Sequence, residues 1–442
     1  MNQIDLLGFK AIDSIQTFVK PEVEPSERKG TVAEQEVIDM FEKLVGPKVF
    51  YTQSGTGKIT EIFLEEEIEL IGFNKNNYPV FDAIIKEILK ISEYSSKASE
   101  KFLRAKIFDW CIQVYRSKQA ELNLSDFLKE LIEDASEEVT FFFPLQNIEI
   151  ENQFEIGNVE FTYFSKQYFD DLYTKLSEVK EGYNSENFNQ IFRADFQGKT
   201  MVKVTVFSER DKAEEIAMKK AELSVDVLKM FSESAVVPEI RTMFDLTFRL
   251  NYQISSNYLT FKPTGSDVPG ITTYFSNQPF NLTADRLSSS FAGGLKIFSE
   301  YITEESEDEL YSIIIQSIQL YANAISNWDL HLRCASLITI IESMLLRESE
   351  ENKMEIKAKA RISKLLSNSH EEKQRIKEVI GTVYIVRHKM LHKAKRIDFD
   401  HKHLSESQMW LTNSFLQLIS LHKKIGFKNK EEVIVHLNNI NS

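Results

Sequence analysis

Residues 384–396 read YIVRHKMLHKAKR, which sets Arg387, His388 and His392 close together in a strongly basic run. These side chains have complementary chemistry. An imidazole titrates near pH 6.5, so it can accept or donate a proton at neutral pH. A guanidinium keeps its charge at any such pH and forks onto oxyanions. Together they suit acid–base work on a phosphate that gains negative charge as it reacts. His388 and His392, four apart, also share one helix face, and Asp398, Asp400, His401 and His403 lie nearby, so a metal set can be drawn. The carboxylates follow no diagnostic spacing and no HExxH arrangement is present, so no metal is expected. A solvated helix face carrying ordinary lysines is the third reading.

Spacing alone decides little. With 14 Arg and 8 His in 442 residues, an Arg-x4-His spacing arises by chance roughly 0.25 times in such a chain. A second match, Arg396 to His401, is present. Context separates the two. Arg387 and His392 follow a helical ladder of Ile376, Val379, Ile380 and Val383, which would anchor them in a bundle. Arg396 and His401 flank IDFD, which reads as loop. All eight histidines lie at or after His331, so imidazole chemistry belongs to the C-terminal third. Residues 351–403 hold 14 Lys/Arg against 7 Asp/Glu, a basic patch of the kind an RNA surface needs, in a chain of net charge −14.

The elements that must position these residues follow from periodicity. From about 286 onward the patterns are helical: ELYSIIIQSIQLYANAI, LRCASLITIIESMLL, MEIKAKARISKLL, KQRIKEVIGTVYIVRHKMLHK and SQMWLTNSFLQLISLHKKIG. A bundle of about five helices is expected, the last opening on a Ser405-x-x-Gln408 capping box. Residues 139–280 mix strand alternation, a hairpin at Gly157–Asn158, an amphipathic helix over DKAEEIAMKKAELSVDVLKMF and further strands over 240–262. The N-terminal part combines a linker at 18–34, a short helix ending near Gly46, strands over 48–72 and helices over 79–136. The fold class is α+β: mixed α/β regions at 1–137 and 138–285, then an all-α bundle at 286–442.

Composition sets limits. Hydrophobic residues make up 42% of the chain, enough for substantial cores. Only Cys111 and Cys334 are present, which excludes a disulfide framework and fits a reducing cytosol. No signal peptide or membrane-spanning stretch is evident, so a cytoplasmic protein without membrane partners is expected. SGTGK at 54–58 fails as a phosphate loop, because Thr52 stands where the first Gly belongs and Ile59 follows Lys58; a hairpin turn is expected there.

The C-terminal third resembles the HEPN superfamily, in its Apea-like branch. Arg387-His388-Lys389-Met390-Leu391-His392 matches the family's Arg, polar residue, spacer and His, late in a bundle. CASLITIIESMLL matches the earlier helix, with Glu342 ahead of its aliphatic pair, and KAKARISKLL resembles the connecting helix. The resemblance implies a metal-independent endoribonuclease without cofactors, acting as a homodimer with a composite active site. An RNA 2′-hydroxyl would attack the adjacent phosphate and leave a 2′,3′-cyclic end. His392 would serve as general acid or base and Arg387 would stabilise the phosphorane. His388 would orient Arg387 or the phosphate, and Lys389, Lys393, Lys395 and Arg396 would hold the RNA backbone, transfer RNA included. Glu342 would support Arg387 from a neighbouring helix. The resemblance further implies an anti-phage effector, with the N-terminal regions answering a phage-derived trigger or small-molecule regulator. The alternative is a non-catalytic bundle used for dimerisation or for binding RNA or a protein.

Overall fold

The computed structural model describes residues 3–19, 49–53, 58–65, 69–167, 170–171, 174–175, 190, 193, 196–240, 244–249, 255–260, 270–275 and 280–440. Most of the expected linker, the short helix near Gly46 and the SGTG turn lie outside them. The chain forms two compact units, Met1–Thr140 with Thr205–Ala217, and Phe141–Val204 with Met218–Ser442. The expected boundary at 137 falls close to the first change of unit. The one expected at 285 falls inside the second unit, where strand region and bundle are held together.

In the first unit, β1 (Gln16–Val19), β2 (Val49–Gln53), β3 (Ile59–Glu65) and β4 (Glu69–Phe73) form an antiparallel sheet in the order β1-β4-β3-β2. Around it lie α1 (Gln3–Ser14), α2 (Tyr78–Leu89), α3 (Glu100–Ser117) and α4 (Leu124–Ala135). Phe73 stacks on Phe81 at 4.9 Å within a core that also takes in Ile62, Ile84, Phe108 and Trp110. Gly72 is required: a Cβ there would lie 2.1 Å from the Ile62 carbonyl oxygen.

A five-stranded sheet follows. β5 (Glu137–Gln146), β7 (Phe154–Ile156), β8 (Val159–Tyr163), β9 (Thr200–Ser208) and β10 (Asp245–Leu246) take the order β10-β5-β9-β8-β7. Gly157, at φ 64, makes the expected β7–β8 hairpin turn. β6 (Ile148–Ile150) pairs in parallel with β13 (Phe280–Leu282), and β11 (Ser255–Thr260) pairs with β12 (Gly270–Phe275). The amphipathic helix is α5 (Arg210–Lys229). Of the strands expected over 240–262, the described residues keep only the two-residue β10 and β11; Thr247–Arg249 is a 3-10 turn. Ion pairs of Arg249 with Asp226 and Asp245, and of Lys229 with the same two carboxylates, favour that turn over continued strand.

The helical part begins with α6 (Ala284–Ser290) and α7 (Lys296–Thr303), joined by a π turn. The bundle itself comprises α8 (Glu309–Ile325), α9 (Leu330–Leu345), α10 (Met354–Leu366), α11 (His370–Lys393), α12 (His401–Ser420) and α13 (Lys430–Asn439). It therefore has more helices than the five expected, and the fold is α+β as expected. At 24 residues α11 is the longest of these, about 36 Å. Ser369 caps its start, accepting from the Glu372 amide. Ile376, Val379, Ile380 and Val383 are buried against α9, α10 and α12, as the ladder predicts. The Ser405 capping box is overturned. Asp400 caps α12, accepting from the Lys402 amide at 2.9 Å, and Ser405 lies a turn inside the helix. Among the described residues no helix is long and apolar enough to cross a membrane.

Candidate functional site

Packing of α11 against α9 decides where the motif residues sit. Arg387 lies at the edge of the buried ladder and reaches across to α9, where its Nη1 donates to Glu342 Oε1 at 2.9 Å. Tyr384, one turn earlier, donates its hydroxyl to the same oxygen at 3.2 Å. Burial, then the Glu342 charge, pushes the Tyr384 hydroxyl well above its ordinary pKa, so it stays a donor. Arg387 is 25% exposed and Glu342 11%, so the pair is screened on one side only. The Arg387 Nε is buried without a hydrogen-bond partner.

His388 and His392 point elsewhere. Both are exposed, and their rings lie 5.0 Å apart, as positions four apart on one face require. Arg387 and His392 are five apart, about 140° around the helix, so one chain does not turn them toward a common point. Glu342 holds Arg387 and is itself held by Tyr384; no hydrogen bond joins His388 to Arg387 among the described residues. Exposed Ile385 falls on the stripe of His388 and His392. It borders a groove of about 470 Å³ between α10 and α11 that also takes in Ile356, Lys359, Gly381 and Thr382.

The basic excess is unevenly spent. Arg361 forks onto Glu350, Lys359 pairs with Glu355, Arg375 with Glu406, and Lys364 donates to the carbonyls of Leu437 and Ile440. Arg396, expected on RNA phosphate, ion-pairs with Asp329 although it is largely exposed. The second match is thus engaged at both ends, since His401 Nδ1 lies 2.6 Å from Glu239 Oε1. Lys393 and Lys395 are exposed and Lys389 partly so, all at the C-terminal end of α11. A helix C-terminus favours cations. On the other side of Glu342 opens a cleft of about 590 Å³ with an acidic wall, including Glu309, Glu348 and Glu351. Among the described residues no three His, Cys, Asp or Glu side chains converge as a metal set.

Family models, characterised proteins and solved structures give no match. The site is therefore read from its own geometry. Tyr384 is the positioning residue that sequence reasoning missed. Its place three before Arg387, on the Glu342 side of the helix, is the signal that marks it. Arg333 was missed as well. It is fully buried, and burial lowers its pKa to about 10. Nothing in LHLRCAS distinguishes it from an exposed arginine.

Proposed function

We propose that this chain is a metal-independent HEPN-type endoribonuclease that works as a homodimer. The observation that carries the reading is the arrangement at the end of α11. A guanidinium is held by Glu342, whose oxygen Tyr384 also engages, while two exposed, adjacent imidazoles and a cluster of lysines stand on another face of the same helix end. Cleavage needs a base for the 2′-hydroxyl proton, an acid for the departing 5′-oxygen and a cation for the phosphorane. His392 supplies proton transfer and Arg387 the charge, with His388 on the phosphate beside His392. The bond from 2′-oxygen to phosphorus forms as the bond to the 5′-oxygen breaks, leaving a 2′,3′-cyclic phosphate and a 5′-hydroxyl.

Because Arg387 and His392 diverge on one helix, a second α11 is needed to complete the site. The exposed Ile385 stripe gives that second helix an apolar surface to pack on. The proposed role is that of an anti-phage effector in the cytoplasm, with its α+β regions governing the site. The test is incubation of purified chain with RNA in the presence of a chelator, with the ends mapped. Cleavage to 2′,3′-cyclic ends, abolished by Arg387→Ala and by His392→Ala, is expected. Equal cleavage by both variants overturns the assignment.

One observation favours a second reading, a non-catalytic bundle that binds RNA or protein. Glu342 already neutralises Arg387, and an acidic cleft adjoins the pair. RNA bound at the lysine cluster but left intact, with and without infected-cell extract, would establish it.

A further inference from the structure

Residues 232–240 form a strap that leaves α5 and crosses the ends of α9 and α12, all within the second unit. Several side chains hold it, among them Arg286, which ion-pairs with Glu233 at 2.8 Å. Arg333 Nη1 donates to the Pro238 carbonyl at 2.9 Å, and Gln408 Nε2 donates to the Ser234 carbonyl at 2.7 Å. Ser405 Oγ donates to the Val236 carbonyl at 2.5 Å, and His401 meets Glu239. Arg333 also donates to the Asn327 carbonyl and the Gln408 side chain. No carboxylate pairs with Arg333 among the described residues, and its Nε has no hydrogen-bond partner.

A buried cation whose hydrogen bonds all go to neutral oxygens, with the charge of exposed Glu239 acting on it from the strap, is incompletely compensated for its lost hydration. The strap is therefore well defined in geometry yet shallow in energy. It buries Ala235 and Pro238 but exposes Val236, Val237 and Ile240, so only part of its apolar surface packs. Such a segment belongs to the low-stability end of a native structure.

The same two helix ends also hold the loop that follows the motif helix, residues 394–400. Arg396 pairs with Asp329, which caps α9, and His331 Nε2 lies 3.0 Å from the Ile397 carbonyl oxygen. Phe399 packs edge-on between His331 at 5.4 Å and His401 at 5.3 Å. His401 is thus shared: one side meets the strap through Glu239, the other the loop through Phe399.

We propose that the strap is a latch: seated, it steadies residues 394–400 through His401 and Phe399, and released, it loosens them. The coupling is argued from the contacts that His401 shares. Only its consequence for activity, that release raises RNA cleavage by loosening the loop that follows His392, rests on the ribonuclease reading.

Hydrogen exchange on the full chain tests it. In Arg333→Met, the hydrogen-bonded amides of 235–237 and 240, and those of 394 and 395 in the loop, should exchange on the order of tenfold faster, while 376–386 stay protected. Opening of the strap with unchanged exchange at 394 and 395 overturns the latch, as does no change in either. Glu239→Ala, at an exposed position, covers the case in which Arg333→Met fails to fold; faster exchange at 394 and 395 is expected, and none overturns the proposal. RNA cleavage by the same variants should rise severalfold without a trigger. Coupled exchange without cleavage keeps the latch and counts against the ribonuclease reading instead.

Discussion

Arg387 and Glu342, 45 residues apart, meet at 2.9 Å across the α9–α11 contact, and Tyr384 shares the carboxylate oxygen that joins them. The carboxylate thus fixes the guanidinium and engages one of its nitrogens, so its removal has two separable effects. Glu342→Gln should keep the shape of the contact yet lose the charge that orients Arg387. The expected result is a loss of RNA cleavage of roughly 10–100-fold, mostly in kcat, with stability lowered by about 2 kcal/mol. Tyr384→Phe, which removes one donor, should give a smaller loss. Full activity in Glu342→Gln would mean that Arg387 is positioned by something other than this pair.

A composite site is tested by mixing. Arg387→Ala and His392→Ala are each expected to be inactive. If Arg387 of one chain works with the partner's His392, a mixed dimer keeps one intact site of two. Random exchange of subunits should then restore about one quarter of wild-type cleavage. Ile385→Glu places a charge on the exposed stripe beside His388 and should shift sedimentation from dimer to monomer, taking activity with it. No recovery on mixing, with dimers present throughout, would place each complete site within one chain.

What was legible in the sequence depended on range. The ladder Ile376, Val379, Ile380 and Val383 repeats at helical spacing, and each of these residues is buried. Gly157 marks a turn because its backbone needs positive φ. Ser405 misled because two cap patterns lie close together, and Asp400, five residues earlier, starts the helix by accepting from the Lys402 amide. The basic run shows a limit of range. Arg375 and Arg396 look free in sequence, but their partners, Glu406 and Asp329, lie 31 and 67 residues away. Pairings of that kind are set by helix packing, which no local spacing encodes. The α10–α11 groove and the strap over Arg333 were hidden for the same reason.

Glu350 gives the bundle a defined acid response. Arg361 donates to it at 2.5 and 2.8 Å and holds its carboxyl down at about 2, with Lys357 and the Arg347 amide adding to the effect. Its pKa in the unfolded chain is about 4.3. A depressed carboxyl stabilises the fold fully above that value, and the contribution drains away as pH falls toward 2. It is worth about 2 kcal/mol after allowance for the solvent that reaches Lys357 and Arg347. Glu350→Gln should therefore be less stable than the parent at pH 7, with the gap narrowing below about pH 4 and small by about pH 2. Urea unfolding at both pH values measures it, and a gap independent of pH would refute the assignment.

Ala394 ends the motif helix in the left-handed region, at φ 48, with its amide bonded to the Lys389 carbonyl. A Cβ is strained there by roughly 1 kcal/mol, and glycine removes that strain although it adds freedom to the unfolded chain. Ala394→Gly should therefore leave stability unchanged or raise it by about 0.5 kcal/mol, with the α11 terminus and its histidines in place. Ala394→Val should lower stability by about 1–2 kcal/mol, because a β-branched side chain crowds the left-handed conformation further. Thermal unfolding ranks the three proteins. If valine proved as stable as glycine, the helix would not end in the left-handed turn, and residues 394–400 would leave α11 along another path.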